Sequence, residues 1–287
     1  MVKLAPDLVF IGFGEAAMAF AADLPGSMTG YDLRFDQTAK KAQFQHLGVR
    51  LMANNAGAVA GATLILSLVT ADEALNAARQ TAGSLTAGAL YCDMNSVAPE
   101  TKKAARELIE AGGGRYVDIA VMAPVLPARR SVPMLASGPH AEAACAALAR
   151  FGFRPRAIAG DVGAASAVKM VRSVLVKGLE ALTSECFIAA QAAGITDEVA
   201  ASLSASWPGT DWAMKADYNL DRMLVHGLRR AAEMDEVVRT LDAIGTGSAM
   251  SRAAAQSQRA IGAIGMAPPV GFAAKAALVS DRKAIAA

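Results

Sequence analysis

The sequence predicts an α/β domain with a doubly wound parallel sheet, followed by an all-α domain. Up to residue 160, short apolar runs alternate with Ala-rich helical segments, and beyond that point only helical patterns remain. A glycine-rich turn joins the first apolar run to the first helical segment. The runs are apolar on both faces, as expected for strands covered by helices on each side. We place the boundary at residue 162, so the domains cover residues 1–162 and 163–287.

The individual elements follow from the same patterns. Strands are predicted where β-branched and other apolar residues cluster: 8–14, 29–32, 64–69, 90–94, 116–122, 133–138 and 156–160. Helices of the first domain are predicted at 15–24, 71–82, 99–111 and 141–151. A proline-free helical pattern covers 163–193 and ends at Gly194, and later helices are predicted at 197–206, 211–218, 221–244, 248–264 and 270–286.

Composition and charge exclude several classes of protein. With 54% hydrophobic and 19% charged residues, the chain of 287 residues is too apolar to be disordered. A net charge of +2 without a basic cluster predicts no nucleic-acid partner. The uncharged segment 51–71 has the length of a membrane span, but its Asn, Gly and Thr residues favour a loop and a short helix before a buried strand. We therefore expect a cytoplasmic protein without a membrane partner.

Cysteine and histidine usage predicts neither disulfides nor a metal site. Cys92, Cys145 and Cys186 lie far apart in the sequence and form no C-x-x-C motif. Tetrahedral zinc requires four close ligands, and the chain has only three histidines. We expect three reduced thiols in the core.

The strongest chemical motif is G-x-G-x-x-A at Gly12, Gly14 and Ala17, between a predicted strand and a predicted helix. The first glycine permits a tight turn, the second lets a pyrophosphate approach the backbone, and the alanine lets the helix pack against the sheet. Asp32 follows 20 residues after Gly12 and can accept hydrogen bonds from ribose hydroxyls. The motif predicts a Rossmann domain with an NAD(P) site. Residues assigned to its phosphate loop are Gly12, Phe13, Gly14, Glu15 and Ala16.

Two neighbouring residues bear on the choice of cofactor. The charge of Asp32 would repel the 2′-phosphate of NADP and so favours NAD. Arg34, two residues later, could pair with that phosphate or be an ordinary solvated side chain. NAD is the favoured cofactor, and NADP remains open.

Taken together, several motifs make the chain resemble the β-hydroxyacid dehydrogenase superfamily, which includes 6-phosphogluconate and 3-hydroxyisobutyrate dehydrogenases. It is most similar to a 6-phosphogluconate dehydrogenase-like subgroup with a C-terminal domain of its own. The motifs extend over the whole chain: GFGEAA (12–17), YDLR (31–34), LSLVT (66–70), DMNSVAPET (93–101), VDIAVMAPV (117–125), GDVGAASAVKMVRSVLVKGLEAL (160–182) and HGLRRAAEMDEV (226–237).

The resemblance implies roles for particular residues. Val69 and Thr70 would line the adenosine side of the cofactor, and Asn95 and Ser96 would lie near the nicotinamide ribose and the substrate. Lys169 matches the family's catalytic lysine, which handles the proton of the substrate hydroxyl while hydride moves to or from the nicotinamide. The resemblance also implies a homodimer.

Three positions depart from the family pattern. Ser173 stands where the family has an asparagine that contacts substrate, and Met122 lies where its substrate loop has small residues. Val176 replaces the glutamate expected for phosphogluconate-type decarboxylation. The departures argue against that decarboxylation and against the usual short β-hydroxy acid as substrate.

Helical spacing adds candidate substrate residues. Lys169, Ser173 and Glu180 fall on one helix face, and Arg172 beside them could bind an anion or form a salt bridge, as could Lys177.

In the helix from residue 221, His226, Arg230 and Glu233 also share a face. They could receive a polar substrate, or form a solvated face held by pairs from Arg229 and Arg230 to Glu233.

Arg129 and Arg130 follow a predicted strand end, where they could bind a carboxylate or phosphate or lie in a surface loop.

We predict an NAD(P)-dependent oxidoreductase that moves hydride between nicotinamide and a small hydroxylated, anionic substrate. Lys169 would be the general acid or base, with Ser96 and Ser173 positioning the substrate. Two alternatives stay open. One is an imine reductase on the same scaffold, against which Lys169 counts, and the other is a sensor that binds NAD(P) without turnover.

Overall fold

A computed structural model describes residues 7–126 and 128–286, with side chains described as far as residue 281. The chain divides into two compact units, the first ending at Lys169 and the second beginning at Met170. This division falls inside a long helix. The domain boundary that we place at residue 162 remains a prediction.

The first unit is a sheet of eight strands with helices between them. Its strands are β1 (Leu8–Ile11), β2 (Met28–Tyr31), β3 (Val49–Leu51), β4 (Leu64–Ser67), β5 (Leu90–Asp93), β6 (Arg115–Val121), β7 (Met134–Ser137) and β8 (Pro155–Ala157). Its helices are α1 (Glu15–Ala21), α2 (Thr38–His46), α3 (Asn55–Val59), α4 (Ala74–Ala82), α5 (Pro99–Ala111) and α6 (Ala141–Ala149). The predicted strands and helices are thereby confirmed, with small changes at their ends.

The strand order is β3-β2-β1-β4-β5-β6-β7-β8, and the strands from β1 to β6 are parallel. The order reverses between β1 and β4, and open α/β sheets bind ligands outside the carboxyl ends of the strands at such a point. The topology therefore directs attention to the loops after β1, β2 and β4.

The sheet departs from the all-parallel prediction at its far edge. Strand β7 pairs with β6 in antiparallel register, and β8 is parallel to β7. A parallel neighbour needs a crossover, usually a helix, whereas the described residues between β6 and β7 form only the 3₁₀ turn Arg129–Ser131. The chain therefore returns beside β6 in the opposite direction.

Two elements were not predicted from the sequence. Strand β3 is only three residues long and contains the exposed Arg50, so it gives no apolar run. Helix α2 is mostly polar and buries only Lys40 and Phe44. The short helix expected within 51–71 is present as α3.

Helices cover both faces of the sheet. Alternate residues of β1 point to opposite faces, so Phe10 packs in one apolar cluster and Val9 in another. The first cluster contains Phe13, Phe20, Phe44 and Phe153, and the second contains Ile65, Tyr91 and Tyr116.

The second unit is helical. The long helix α7 (Ala164–Ala193) begins in the first unit, and α8 (Thr196–Ser206), α9 (Trp212–Ile244), α10 (Ala249–Gly262) and α11 (Phe272–Ala286) follow. The two helices predicted over 211–244 form one helix of 33 residues, because Asn219 and Leu220 are both buried and continue the turn. Asp211 caps its start by accepting from Met214 N at 2.9 Å.

None of the helices among the described residues has both the length and the apolarity needed to cross a bilayer. The expectation of three core thiols is met by Cys92 alone. Cys145 is half-buried, and Cys186 lies on α7 and is exposed.

Candidate cofactor site

The loop from β1 to α1 has the geometry that its glycines predict. Gly12 adopts a φ of +84°, and a Cβ there would lie 2.6 Å from the carbonyl oxygen of Leu68. A side chain at Gly14 would meet no atom within 4 Å, so this glycine leaves open space beside the loop. Ala17 is fully buried, which lets α1 pack closely. The loop thus combines a required glycine with a cradle that a side chain would fill.

Asp32 follows β2 and connects the glycine loop to the next turn. Its carboxylate accepts hydrogen bonds from Phe13 N at 2.9 Å and Arg34 N at 3.0 Å. Lys40 Nζ lies 3.7 Å from the same carboxylate and donates to the carbonyl of Phe13 at 2.6 Å. Burial favours a higher pKa for Asp32, but these hydrogen bonds and the charges of Lys40 and Arg34 outweigh it, so its pKa lies below the usual value. Asp32 is therefore ionised near neutral pH.

A cavity of about 330 Å³ opens beside this loop. The residues predicted to bind cofactor that line it are Gly12, Phe13, Gly14, Asp32, Arg34, Val69 and Thr70. Three others predicted for the cofactor, Glu15, Ala16 and Asn95, are not among its lining residues.

Other lining residues were missed by the sequence analysis. They lie at the end of β2 and just after it, at the start of α3, and just before and along α4: Tyr31, Leu33, Asn55, Glu73, Asn76, Ala77 and Gln80. Asn55 is 4% exposed, and its Nδ2 has no hydrogen-bond partner among the described residues. An available signal was its position after a strand of the sheet, but β3 itself was not recognised.

Asn95 acts within the protein, where it links the ends of β4 and β5. Its Oδ1 accepts from Val69 N at 2.7 Å, and its Nδ2 donates to Ser67 Oγ at 2.9 Å. The neighbouring Ser96 Oγ is buried without a partner among the described residues. Asn95 thus holds the loop that carries Val69.

A buried charged network lies at the ends of β5 and β6. Lys102 Nζ is 2.9 Å from Asp93 Oδ1 and 3.4 Å from Asp118 Oδ1, and all three residues are fully buried. Tyr116 donates to Asp93 at 2.7 Å. Buried charged groups are stable only when they are paired and hydrogen-bonded, so the network depends on its hydrogen-bond donors.

The start of α7 provides several of those donors. Asp118 accepts from Gly163 N at 3.1 Å, from Ser166 N at 3.0 Å and from Ser166 Oγ at 2.6 Å. Lys169, the predicted acid or base, follows Ser166 by about one turn and is half-buried. Met122 follows β6 and donates its N–H to Pro133 O at 2.9 Å. The sheet therefore holds the helical turn that precedes Lys169.

In the second unit, the predicted substrate residues lie in different surroundings. Ser173 is buried, Arg172 is exposed and His226 is half-buried. Arg230 is buried and paired with Glu180, which also accepts from Gln258 Nε2 at 3.1 Å.

Glu233 contacts two cations of the second unit. The pair from Arg229, one of the alternatives open from the sequence, is present at 3.3 Å, and Lys177 lies 2.8 Å from the same carboxylate. The guanidinium of Arg230 binds Glu180. Burial holds the pKa of Lys177 below its usual value, against the opposing charge of Glu233.

The arginines of the loop after β6 contact the end of α1. Arg129 pairs with Asp23 at 2.7 Å, and Arg130 donates to the carbonyl oxygens of Phe20 and Ala22. These contacts satisfy carbonyls at the end of a helix, and they give both arginines partners within the protein.

The sheet order, the glycine loop and the ionised acid after β2 define the class of dinucleotide-binding α/β proteins. The comparison with protein families is specific: residues 7–150 match the NAD binding domain of 6-phosphogluconate dehydrogenase, and the chain belongs to this family. Residues 190–261 match a domain of unknown function, DUF1932. A nicotinamide cofactor is the class of ligand that this family supports.

Individual relatives are similar over most of the chain. An uncharacterised 28.5 kDa protein of Methanothermus fervidus is 30% identical over 79% of this chain and 88% of its own length. The solved structure of a conserved hypothetical protein from Sinorhizobium meliloti 1021 is 36% identical, with 96% of each chain covered and a TM-score of 0.76.

Two further structures show that the fold is of the 3-hydroxyacid dehydrogenase type. A conserved protein described as structurally similar to 3-hydroxyacid dehydrogenases is 29% identical, with 88% of this chain and 96% of that chain covered and a TM-score of 0.71. The 3-hydroxyisobutyrate dehydrogenase of Mycobacterium tuberculosis is 15% identical, with 98% of this chain and 100% of that chain covered and a TM-score of 0.76. At that identity the second likeness concerns the fold alone.

Proposed function

We propose that the protein is an NAD-dependent dehydrogenase that moves hydride between nicotinamide and the hydroxyl-bearing carbon of a small anionic substrate. The observation that carries this proposal is the anchoring of α7: Asp118 binds Gly163 N and Ser166, one turn before Lys169. A proton-transferring side chain must be held within reach of the reacting hydroxyl, and an anchored helix supplies that rigidity.

The residues around the cavity fit an adenine dinucleotide. Gly14 leaves open space at the loop, Asp32 is ionised, and Asn55 Nδ2 is a buried donor that has no partner among the residues described. Asp32 would accept hydrogen bonds from the adenosine ribose hydroxyls, since each carboxylate oxygen can accept more than one hydrogen bond. When bound, the nicotinamide accepts or supplies the hydride.

The chain's own residues would manage the proton and the substrate. Lys169 takes the proton of the substrate hydroxyl when the alcohol is oxidised and returns it in the reverse direction. Ser96 Oγ is buried and has no hydrogen-bond partner within 7–126 and 128–286, so it can hydrogen-bond to the substrate or the nicotinamide ribose. Ser173 and Met122 differ in size and polarity from the residues of better-known relatives, which supports a substrate other than the usual short β-hydroxy acid.

Substitution of Lys169 tests this assignment. Lys169→Ala is expected to keep its affinity for NADH, followed by cofactor fluorescence, and to lose about 10²- to 10⁴-fold in turnover, because the proton has no acceptor. Turnover is followed at 340 nm over a panel of hydroxy acids and sugar acids. The control is Lys41→Ala, which removes an exposed lysine of the same unit. An unchanged rate would remove Lys169 from the mechanism, and binding without reduction across the panel would indicate a sensor.

The preference for NAD over NADP is tested separately. The buried charge of Asp32 opposes a 2′-phosphate, whereas the side chain of Arg34 is 60% exposed and 3.6 Å from Asp32. We expect the wild type to bind NAD more tightly, and Asp32→Asn to narrow the ratio of the two dissociation constants. Arg34→Ala should weaken the binding of NADP more than the binding of NAD. A wild type that binds NADP more tightly would contradict the proposal.

A further inference from the structure

The cofactor cavity contains one buried amide that is held at one end and unpartnered at the other. Asn55 lines the cavity and is 4% exposed. Its Oδ1 lies 3.0 Å from Thr81 Oγ1, whose single hydroxyl proton is shared with the carbonyl oxygen of Ala77 at 2.8 Å, and its Nδ2 has no hydrogen-bond partner in the described part of the chain. A buried donor without an acceptor is costly, so its presence beside a cavity indicates an acceptor on the ligand.

The position of Asn55 is fixed independently of any ligand. Asn54 caps α3 by accepting from Gly57 N at 2.7 Å, which sets the first turn of the helix where Asn55 lies. Thr81, on the neighbouring helix α4, holds the Asn55 amide from the other side. The donor is therefore oriented before binding, which lowers the entropic cost of the contact.

The surroundings specify a flat, neutral acceptor. Leu33, Val69 and Ala77 give the cavity apolar walls, which suit the faces of an aromatic base. Asp32 and Glu73 line the same cavity and disfavour an anionic group there. Since Asp32 follows β2 and Asn55 follows β3, the two lie on the adenosine half of the sheet, away from β5 and β6.

We propose that Asn55 Nδ2 donates a hydrogen bond to an unprotonated ring nitrogen of adenine, so that Asn55 reads the base of the cofactor. This inference rests on the proposed function, because it requires an adenine nucleotide in the cavity. Asn76 offers a contrast within the same cavity, since its Nδ2 already donates to Glu73 Oε2 at 2.9 Å.

The test is a set of affinities measured by calorimetry on the full chain, with ADP and its 1-deaza, 3-deaza and 7-deaza analogues. Each analogue replaces one ring nitrogen by CH and removes one acceptor. One of the three should bind the wild type about threefold to tenfold more weakly than ADP, the range of one neutral hydrogen bond. Asn55→Ala should bind ADP more weakly by a similar factor and no longer distinguish that analogue from ADP.

Two further variants complete the design. Asn55→Asp keeps the size of the side chain and its contact with Thr81 but has no donor, so it should lose the same discrimination between ADP and the analogue. It replaces Asn55→Ala as the test if the alanine variant folds poorly. Asn76→Ala should retain the discrimination, whatever its effect on overall affinity. The proposal is overturned if the three analogues bind the wild type as well as ADP does, or if Asn55→Ala weakens all four ligands equally. If neither ADP nor NAD binds the wild type, the proposed function fails as well.

Discussion

At the scale of single residues, Asp32 joins three parts of the first unit. It receives hydrogen bonds from Phe13 in the glycine loop and from Arg34 in the following turn, and its charge faces the buried Lys40. The carboxylate thus contributes to folding as well as to the cofactor site. The sequence indicated its place from the spacing to Gly12, but not the involvement of Lys40, which lies on the unpredicted helix α2.

We expect Asp32→Asn to lower the free energy of unfolding by about 1 to 3 kcal/mol at pH 7, because Lys40 would remain buried without its counter-charge. The folded-state pKa of Asp32 is lowered, so its stabilisation is present above the unfolded pKa of about 3.9 and is lost as the pH falls through the folded value. The difference between wild type and variant, measured by urea unfolding, should therefore shrink below about pH 4. Asp36→Asn, at an exposed carboxylate, is the control; a difference independent of pH would contradict this account.

Asn55 and Arg230 mark the limit of residue-level prediction. Asn55 could not be assigned because its partner Thr81 lies 26 residues away, on another helix. For Arg230 the sequence left open a substrate contact and a pair within its own helix, and it did not indicate its partner Glu180, which lies 50 residues away. Helical spacing predicts which side chains are neighbours on one helix. It does not predict which side chains of a different helix will contact them.

At the scale of elements, α9 and α10 pack with their backbones in close approach. A Cβ at Gly227 would lie 2.4 Å from the carbonyl oxygen of Gln258 and 2.7 Å from Gly262 Cα. Both obstacles are backbone atoms, which cannot move aside as a flexible side chain would. The contact therefore requires glycine on both helices.

Gly227→Ala is expected to destabilise the protein by about 1 to 3 kcal/mol through this overlap, although alanine is the better helix former. The matched control is Gly83→Ala, at a position with φ of −70° and no atom within 4 Å of the added Cβ. That variant should be neutral or more stable by up to about 1 kcal/mol. Thermal unfolding of both variants checks the pair, and an unchanged midpoint for Gly227→Ala would show that the helices separate without cost.

Element prediction succeeded where the pattern was local and strong. The long proline-free pattern predicted the start of α7 to within one residue, and the apolar runs predicted the buried strands. It failed for β3, whose three residues include an exposed arginine, and for the direction of β7, which depends on the path of the preceding loop. Short strands and strand direction are decided by pairing with distant segments.

At the scale of the whole molecule, exposed apolar side chains on the long helices bear on self-association. On α7, Val168, Val171, Leu175 and Leu182 are exposed by 44%, 50%, 67% and 52%. Their spacings of three, four and seven residues place them in a stripe along the helix, which suits packing against another helix. The homodimer implied by the resemblance remains a proposal, and this stripe supports it.

Light scattering during gel filtration tests the proposal. We expect the wild type to show twice the mass of one chain, and the double variant Val171→Glu and Leu175→Glu to show one chain, because charges would be buried in the interface. Val270→Glu is the control, since Val270 is 99% exposed and lies outside the stripe. A monomeric wild type would refute the dimer.

The order of strand and helical regions, the turn at Gly12 and the acid at Asp32 could all be predicted from the amino-acid sequence. They depend on residues within one short segment of the chain: the left-handed turn, the runs of apolar side chains, and the single strand–helix–strand unit that leads from Gly12 to Asp32. Three other features emerge only in the folded chain: the direction of β7, the pairing of Arg230 with Glu180, and the Asn55 Nδ2 that has no partner among the described residues. Each of these features depends on contacts between segments that are far apart in the sequence. A pattern within one segment therefore cannot predict it.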